Sequence, residues 1–300
     1  MIERVTAKSI GRNALLEISK QRGARLGSVA AVFDNTIYIR TDSDELVVVT
    51  RKNARSPINV NVLGGSSFLS TTRASADAVV NSGELVLDRL RLSYHRCPEY
   101  VSHVDELALN AESTRIGASI LGAARVLSVL AQPGCVLDPQ SPSHDGARRF
   151  LKVAASGESE EQLLDLAAEL LGLGVGFTPS GDDFVAGLLA SFNVLSYRAK
   201  KKPVVIEWEV LRSRTSWISA RLIDYMQKRL VDETVERCIR SVAAGEKDAA
   251  LDAVIDLASR GHTSGADISI GLLSGTSLFL EGLLGGKLFQ RLTKTLGLRS

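Results

Sequence analysis

The sequence has little that staples or anchors a chain. Its three cysteines, Cys97, Cys135 and Cys238, are odd in number and far apart. They fit neither a disulfide framework nor a CxxC or Cys/His ligand pattern, so a reducing, cytoplasmic setting is expected. No long apolar run is present either. The longest, Ile268 to Leu280, falls well short of the roughly 20 residues of a membrane span. Met1 to Arg12 carries Glu3, Arg4, Lys8 and Arg12 and no apolar stretch, so neither secretion nor membrane insertion is expected. An excess of one charge is lacking too: 36 basic against 34 acidic residues leave a net charge of +2, which gives no electrostatic footprint for nucleic acid. The one basic cluster, Lys200 to Lys202 behind Arg198, reads as a solvated helix end.

What is present is core material. With 45% hydrophobic and 23% charged residues, the chain belongs with neither disordered nor collagen-like sequences. Its 300 residues suit two domains better than one, because single cores stop growing at roughly 250 to 300 residues. The first hundred residues hold β-branched runs separated by turn residues. Ser28 to Phe33, Thr36 to Arg40 and Glu45 to Thr50 read as successive antiparallel strands, extended by Ile58 to Leu63 and Glu84 to Tyr94.

From about Asp105 the pattern turns helical. Helices are predicted over Arg115 to Ala131, His144 to Ala155, Ser159 to Leu171, Gly181 to Tyr197, Trp208 to Val231, Glu233 to Ala244, Lys247 to Ser259, Ser264 to Glu281 and Lys287 to Leu296. Between the first two, Pro133 to Ser143 contains Pro133, Pro139 and Pro142 and is read as a long loop. The expected architecture is α+β: an antiparallel β domain over 1–104, then a larger helical domain over 105–300.

Two segments of the helical half repeat one pattern. Pro179-Ser180-Gly181-Asp182-Asp183-Phe184-Val185-Ala186-Gly187-Leu188-Leu189 aligns with Thr263-Ser264-Gly265-Ala266-Asp267-Ile268-Ser269-Ile270-Gly271-Leu272-Leu273 as Ser-Gly-x-Asp-x-x-x-Gly-Leu-Leu. The plain structural account is that Ser180 with Asp183, and Ser264 with Asp267, form capping boxes at two helix starts. Gly187 and Gly271 would then let the two helices pack closely.

Capping leaves Asp182 over, since Ala266 stands in its place in the second copy. It also leaves the approach Gly172-Leu173-Gly174-Val175-Gly176-Phe177-Thr178, whose alternating glycines suit a loop leading an anion to a helix N-terminus. Two aspartates beside an anion would repel it, so a divalent cation or an amide-bearing ligand is needed to relieve the conflict. Arg214 and Thr215 supply a guanidinium and a hydroxyl for an oxyanion. His262, just ahead of the second copy, is an acid–base candidate whose alternative is a packing or capping role. His95, His103 and His144 are scattered and suggest no metal site.

The stretch from Leu171 to Ala190, LGLGVGFTPSGDDFVAGLLA, together with Arg214-Thr215-Ser216 and Gly261-His262-Thr263-Ser264-Gly265-Ala266-Asp267, resembles the AllH subunit of oxamate carbamoyltransferase, formerly a domain of unknown function. The strand Gly27 to Phe33 extends the likeness toward the N-terminus. The resemblance implies a subunit working beside FdrA-like and AllG-like proteins, in which oxalurate and phosphate give oxamate and carbamoyl phosphate during allantoin or purine breakdown. Carbamoyl transfer needs donors for an oxyanion and a phosphate, and a group to handle the amide proton. Gly174, Gly176, Thr178, Ser180, Gly181, Arg214, Thr215, Ser264, Gly265 and Asp267 are the expected binding residues. Asp182 or Asp183, with His262 as the alternative, is expected to orient the amide or take its proton. A non-catalytic scaffold and a small-anion-binding subunit are the competing readings. Homo-oligomerisation stays open.

Overall fold

A computed structural model of the chain describes residues 2–21, 23–108 and 111–298. It divides into two compact units, Met1–Ser102 and His103–Ser300.

Apolar–polar alternation sets the first unit. In β1 (Glu3–Gly11), Val5, Ala7 and Ser9 are buried while Arg4, Thr6 and Lys8 face outward, the period-2 signature of a strand with one buried face. The chain continues through α1 (Arg12–Lys20), β2 (Arg25–Phe33), β3 (Thr36–Thr41), β4 (Leu46–Thr50), β5 (Asn59–Val62), β6 (Asp77–Asn81), β7 (Glu84–Leu87), β8 (Leu90–Ser93) and β9 (Glu99–Tyr100). The strand order is β5-β4-β3-β2-β6-β7-β8-β1-β9, and a further β5–β1 pairing closes eight strands into a barrel. Closure removes the exposed edges of an open sheet. Leu26, Ile37, Ile39, Val47, Val49 and Phe68 fill its interior with others.

This differs from a purely antiparallel meander. β1 lies parallel to β8 and β9, and β4 parallel to β5. The run Glu84 to Tyr94 is two strands folded into a hairpin at Asp88 and Arg89, with Leu87 opposite Leu90. β1, α1 and β6 were absent from the sequence-based expectation. The inward residues of β1 are too small and polar to stand out as a hydrophobic stripe.

The second unit is helical: α2 (Ser113–Leu130), α3 (His144–Ala154), α4 (Glu160–Glu169), α5 (Ser180–Arg198), α6 (Trp208–Arg214), α7 (Trp217–Gln227), α8 (Glu233–Ala243), α9 (Lys247–Ala258), α10 (Ser264–Leu284) and α11 (Leu288–Thr295). The helix expected over Trp208 to Val231 is broken at Thr215 and Ser216, where Ser216 caps α7 by accepting the Ser219 amide at 3.2 Å. Lys200 to Lys202 are exposed past the end of α5. Among the described residues no helix is long and apolar enough to cross a membrane.

α5 and α10 form the centre of this unit, running side by side in the same direction. α7 packs on α5, while α2, α9 and α11 pack on α10. Most of the α5 sequence is buried, which follows from its being apolar nearly all round. α10 keeps many small hydroxyl residues in the same setting by folding them back on its own backbone. Ser269, Ser274, Thr276 and Ser277 each donate to the carbonyl four residues earlier, at 2.7 to 2.8 Å, so no buried hydroxyl there needs a partner elsewhere.

The two backbones touch where the repeated glycines meet. A Cβ on Gly187 would stand 2.1 Å from the Ile268 carbonyl oxygen, and one on Gly271 would stand 2.1 Å from that of Phe184. No side chain fits there without separating the helices. Gly187→Ala is therefore expected to destabilise the protein by roughly 1–3 kcal/mol or more, as overpacking does. Gly282→Ala, on an exposed stretch of α10 with nothing within 4 Å, should be neutral or stabilising by up to about 1 kcal/mol. Urea unfolding of both variants checks the contrast.

Candidate functional site

Because α5 and α10 are parallel, their N-termini lie at the same end of the pair. Neither serine of the repeat is a cap. The N-cap of α5 is Pro179 and that of α10 is Thr263, and neither makes a side-chain cap hydrogen bond. Each serine is already the first helical residue, so its oxygen points away from the helix axis. The amides a cap would have satisfied are taken by the preceding turns: Gly181 donates to the Leu173 carbonyl at 2.9 Å and Gly265 to that of Arg260 at 3.0 Å. The capping-box account of Ser180 with Asp183 and of Ser264 with Asp267 is thus replaced by a different use of the same residues.

Ser180 belongs to a buried cluster of hydroxyls. Its Oγ lies 2.7 Å from Ser143 Oγ, which lies 2.9 Å from Ser141 Oγ, and Ser141 donates to the Gly134 carbonyl at 3.0 Å. Gly174, at φ +122°, comes so close that a Cβ there would stand 2.4 Å from Ser180 Oγ. The alternating glycines therefore fold the loop onto the helix start. The loop's outer part, Val175, Gly176 and Phe177, is exposed.

Asp182 faces the other way. Its Oδ1 accepts the Gly172 amide at 2.7 Å and its Oδ2 accepts the Thr215 hydroxyl. It is buried, and burial raises its carboxyl above the usual range against the pull of these hydrogen bonds. The Arg214 backbone comes near, its carbonyl lying where a Gly172 side chain would go. Its side-chain end of the residue is exposed, as is His262 on the turn before α10. Neither is drawn into the buried cluster.

Asp183 and Asp267 are drawn into it. Asp183 Oδ2 accepts Thr178 Oγ1 at 3.0 Å, Thr178 Oγ1 lies 3.2 Å from Ser264 Oγ, and Ser264 also hydrogen-bonds Asp183 across the helix pair. Burial lifts Asp183 to about 7, held down by these hydroxyls and by the Arg260 guanidinium and pushed further up by Asp182. Asp267, three residues past Ser264, is fully buried. Its Oδ1 accepts the Val136 amide at 2.8 Å, and burial, assisted by the charge of Asp183, lifts it to about 8.

Val136 stands in the loop Pro133 to Ser143, which sequence reasoning passed over as a mere connection. That loop is tightly ordered. Gly134 donates to Asp138 Oδ2 at 2.6 Å, and His144 Nδ1 lies 3.0 Å from the Val136 carbonyl. Cys135 lies close enough for the Asp267 charge to help burial raise its thiol. Arg260 was also missed. It pairs with Asp232 at 2.8 Å, and the basic residue two places before the exposed His262 was the available signal. Among the described residues no cluster of three or more His, Cys, Asp or Glu side chains is arranged to hold a metal ion.

Two expectations follow from this geometry. Removing the Asp182 carboxylate leaves the Gly172 amide and the Thr215 hydroxyl without their acceptor, so Asp182→Ala should cost about 1–3 kcal/mol in thermal or denaturant unfolding. Asp183 and Asp267 hold their protons more tightly when folded than at the ordinary 3.8. Their contribution is complete below about pH 4 and is lost as pH rises through about 7 and 8. Asp267→Asn removes one of these groups, so its stability should fall less than that of the native chain between pH 5 and pH 8, as measured by urea unfolding at both.

Comparison with known families gives a match in the helical unit. Residues 170–276 fit the family model described as oxamate carbamoyltransferase subunit AllH. The matched segment begins just before the glycine loop and ends beyond both helix starts; the barrel and the loop carrying Val136 lie outside it. No solved structure matches the chain. Through the segment that contains both copies of the repeat, the chain is similar to the AllH subunits of oxamate carbamoyltransferase.

Proposed function

We propose that this chain is a subunit of a carbamoyltransferase complex in which oxalurate and phosphate give oxamate and carbamoyl phosphate, or which runs the same exchange on a related small acid. One observation carries the reading. The segment that matches the family is the one that supplies Asp183, Thr178, Ser264 and Asp267 at the paired helix starts. The partners would be FdrA-like and AllG-like subunits, and the setting cytoplasmic, within the breakdown of allantoin or other purines.

Carbamoyl transfer adds a nucleophile to a carbonyl carbon and expels a nitrogen or oxygen leaving group through a tetrahedral anion. A proton must move at the amide nitrogen during that passage. Asp183 suits this role better than Asp182, because its two hydrogen bonds come from hydroxyls at the paired helix starts, whereas Asp182 ties the Gly172 turn to Thr215. A carboxyl near 7 exchanges a proton readily at neutral pH. Thr178 and Ser264 orient it. The field of two helix N-termini, each worth roughly half a positive charge, favours the anion that develops beside them. Arg214, exposed near the glycine loop, would meet phosphate. If a divalent cation takes part, Asp183 and the neighbouring hydroxyls are its oxygen donors here.

The second reading is a scaffold or small-anion-binding subunit. It is favoured by the depth at which Asp267 and Ser180 are buried, which suits packing as well as chemistry.

The test is carbamoyl phosphate formation from oxalurate and phosphate by the chain alone and with its partner subunits. Activity in the assembled complex is expected, together with a loss of at least 100-fold in Asp183→Asn, the lower range for a removed proton-transfer group. An assembled Asp183→Asn complex with native activity would leave the scaffold reading standing.

A further inference from the structure

One carboxyl oxygen in the cluster makes no well-formed hydrogen bond, although the Thr263 hydroxyl lies near its carboxyl group. Asp267 Oδ1 takes the Val136 amide, but Oδ2 is buried and has no hydrogen-bond partner. A buried carboxylate oxygen left bare is costly, so a group that stays this way in a packed interior needs a reason. Asp183 supplies one. It lies across the helix pair, linked to α10 through Ser264, and its charge acts directly on Asp267.

Charge balance narrows the possibilities. Two parallel helix starts present roughly one positive charge in total. With Asp182 already at the same helix start, ionising both Asp183 and Asp267 would crowd three carboxylates beside that potential, in a setting where like charges at close range are costly. Keeping a proton on one of the pair relieves that crowding. Both are buried, and Asp267 is the natural holder of the proton, because its Oδ2 has no hydrogen bond to support a charge whereas Asp183 is supported by two hydroxyls and the nearby Arg260 charge. The other charged or titratable groups facing the pair are Asp182 and Arg260 on the Asp183 side and the Cys135 thiol on the Asp267 side. Arg260 is already paired with Asp232, so it does not neutralise the second carboxylate.

We propose that Asp183 and Asp267 work as one unit carrying a single proton, in which neutral Asp267 is a positioning residue that keeps Asp183 ionised to accept an N–H of the primary amide of a carbamoyl-type ligand. The ligand class rests on the carbamoyltransferase reading; the proton-holding role of Asp267 rests on the geometry of the pair. A primary amide adds N–H donors to the two hydroxyls that already face an ionised Asp183, whereas a dicarboxylate brings only acceptors and is repelled.

The experiment is calorimetric titration of the full chain, alone and assembled with its partner subunits, with oxamate as the amide probe and oxalate as its amide-free counterpart. Circular dichroism at each pH confirms that the protein is folded. Oxamate should bind and oxalate should not. Affinity should peak near neutrality and fall on both sides with a limiting slope of about tenfold per pH unit, the single-proton limit. Asp183→Asn should lose oxamate binding. Asp267→Asn, permanently neutral, should lose the alkaline fall and bind at least tenfold more tightly than the native chain at the alkaline end of the folded range. An Asp267→Asn profile identical to the native one, equal binding of oxalate, or no binding of oxamate in either preparation would overturn the proposal. If oxamate binds with the expected profile but the complex makes no carbamoyl phosphate, the pair stands and the reaction assigned above does not.

Discussion

The architecture of the helical unit depends on one contact, the approach of the α5 and α10 backbones at Gly187 and Gly271. The carbonyls of Ile268 and Phe184 occupy the space a side chain would need. A contact this close fixes the register of the two helices. Because they run parallel, it also fixes the separation of their N-termini. Everything at that end follows from the register: Thr178 reaching Ser264, Ser264 reaching Asp183, and Asp267 buried one turn further on. Had the helices been antiparallel, the two copies of the motif would lie at opposite ends and their carboxyls would not interact.

The same constraint explains why polar residues collect in a place where burial penalises them. Two helix starts brought together concentrate amide donors and positive potential, which carboxylates and hydroxyls relieve. The chain uses both. Hydroxyls form a chain from Ser180 to the Gly134 carbonyl on one side, and carboxyls gather on the other. The loop Pro133 to Ser143 closes the cluster from outside through the Val136 amide. Its prolines keep it from joining the flanking helices, and its internal hydrogen bonds to Asp138 hold its shape.

Much of this was legible in the sequence, and what was not has physical reasons. The repeat and the close packing of its glycines could be read because a fixed spacing of Ser, Gly and Asp has few causes, and helical periodicity placed most helices of the second unit. The function of each serine could not be read. A serine at the N-cap and a serine one residue later look the same in sequence, yet the first turns its oxygen to the helix amides and the second to its neighbours. The Val136 amide carries no side-chain signature at all, so a backbone donor supplied from 131 residues away is invisible to motif reasoning. Barrel closure was hidden for a related reason: β1 pairs with strands about 50 and 90 residues on, and long-range pairing leaves no local trace beyond an alternation that Ala7 and Ser9 make faint.

The two copies of the motif also show how a repeated scaffold becomes chemically asymmetric. Each must fix the turn ahead of its helix, since a loose turn would free the amides of Gly181 and Gly265 and misplace the carboxyls behind them. In the first copy Asp182 does this, bridging Gly172 and Thr215. In the second, Ala266 is buried and offers no such bridge. There the turn is held by Arg260, whose carbonyl takes the Gly265 amide and whose guanidinium binds Asp232, itself the N-cap of α8. One turn is thus fastened by an acid and the other by a base. The pair Asp183 and Asp267 inherits unequal surroundings from that difference. Asp183 has a cation within range and two hydroxyl donors, while Asp267 has one amide, the Thr263 hydroxyl nearby, a thiol and an oxygen without a well-formed hydrogen bond. Equivalent positions in the repeat therefore do not titrate equivalently, and the division of labour between them is a consequence of how each turn is anchored.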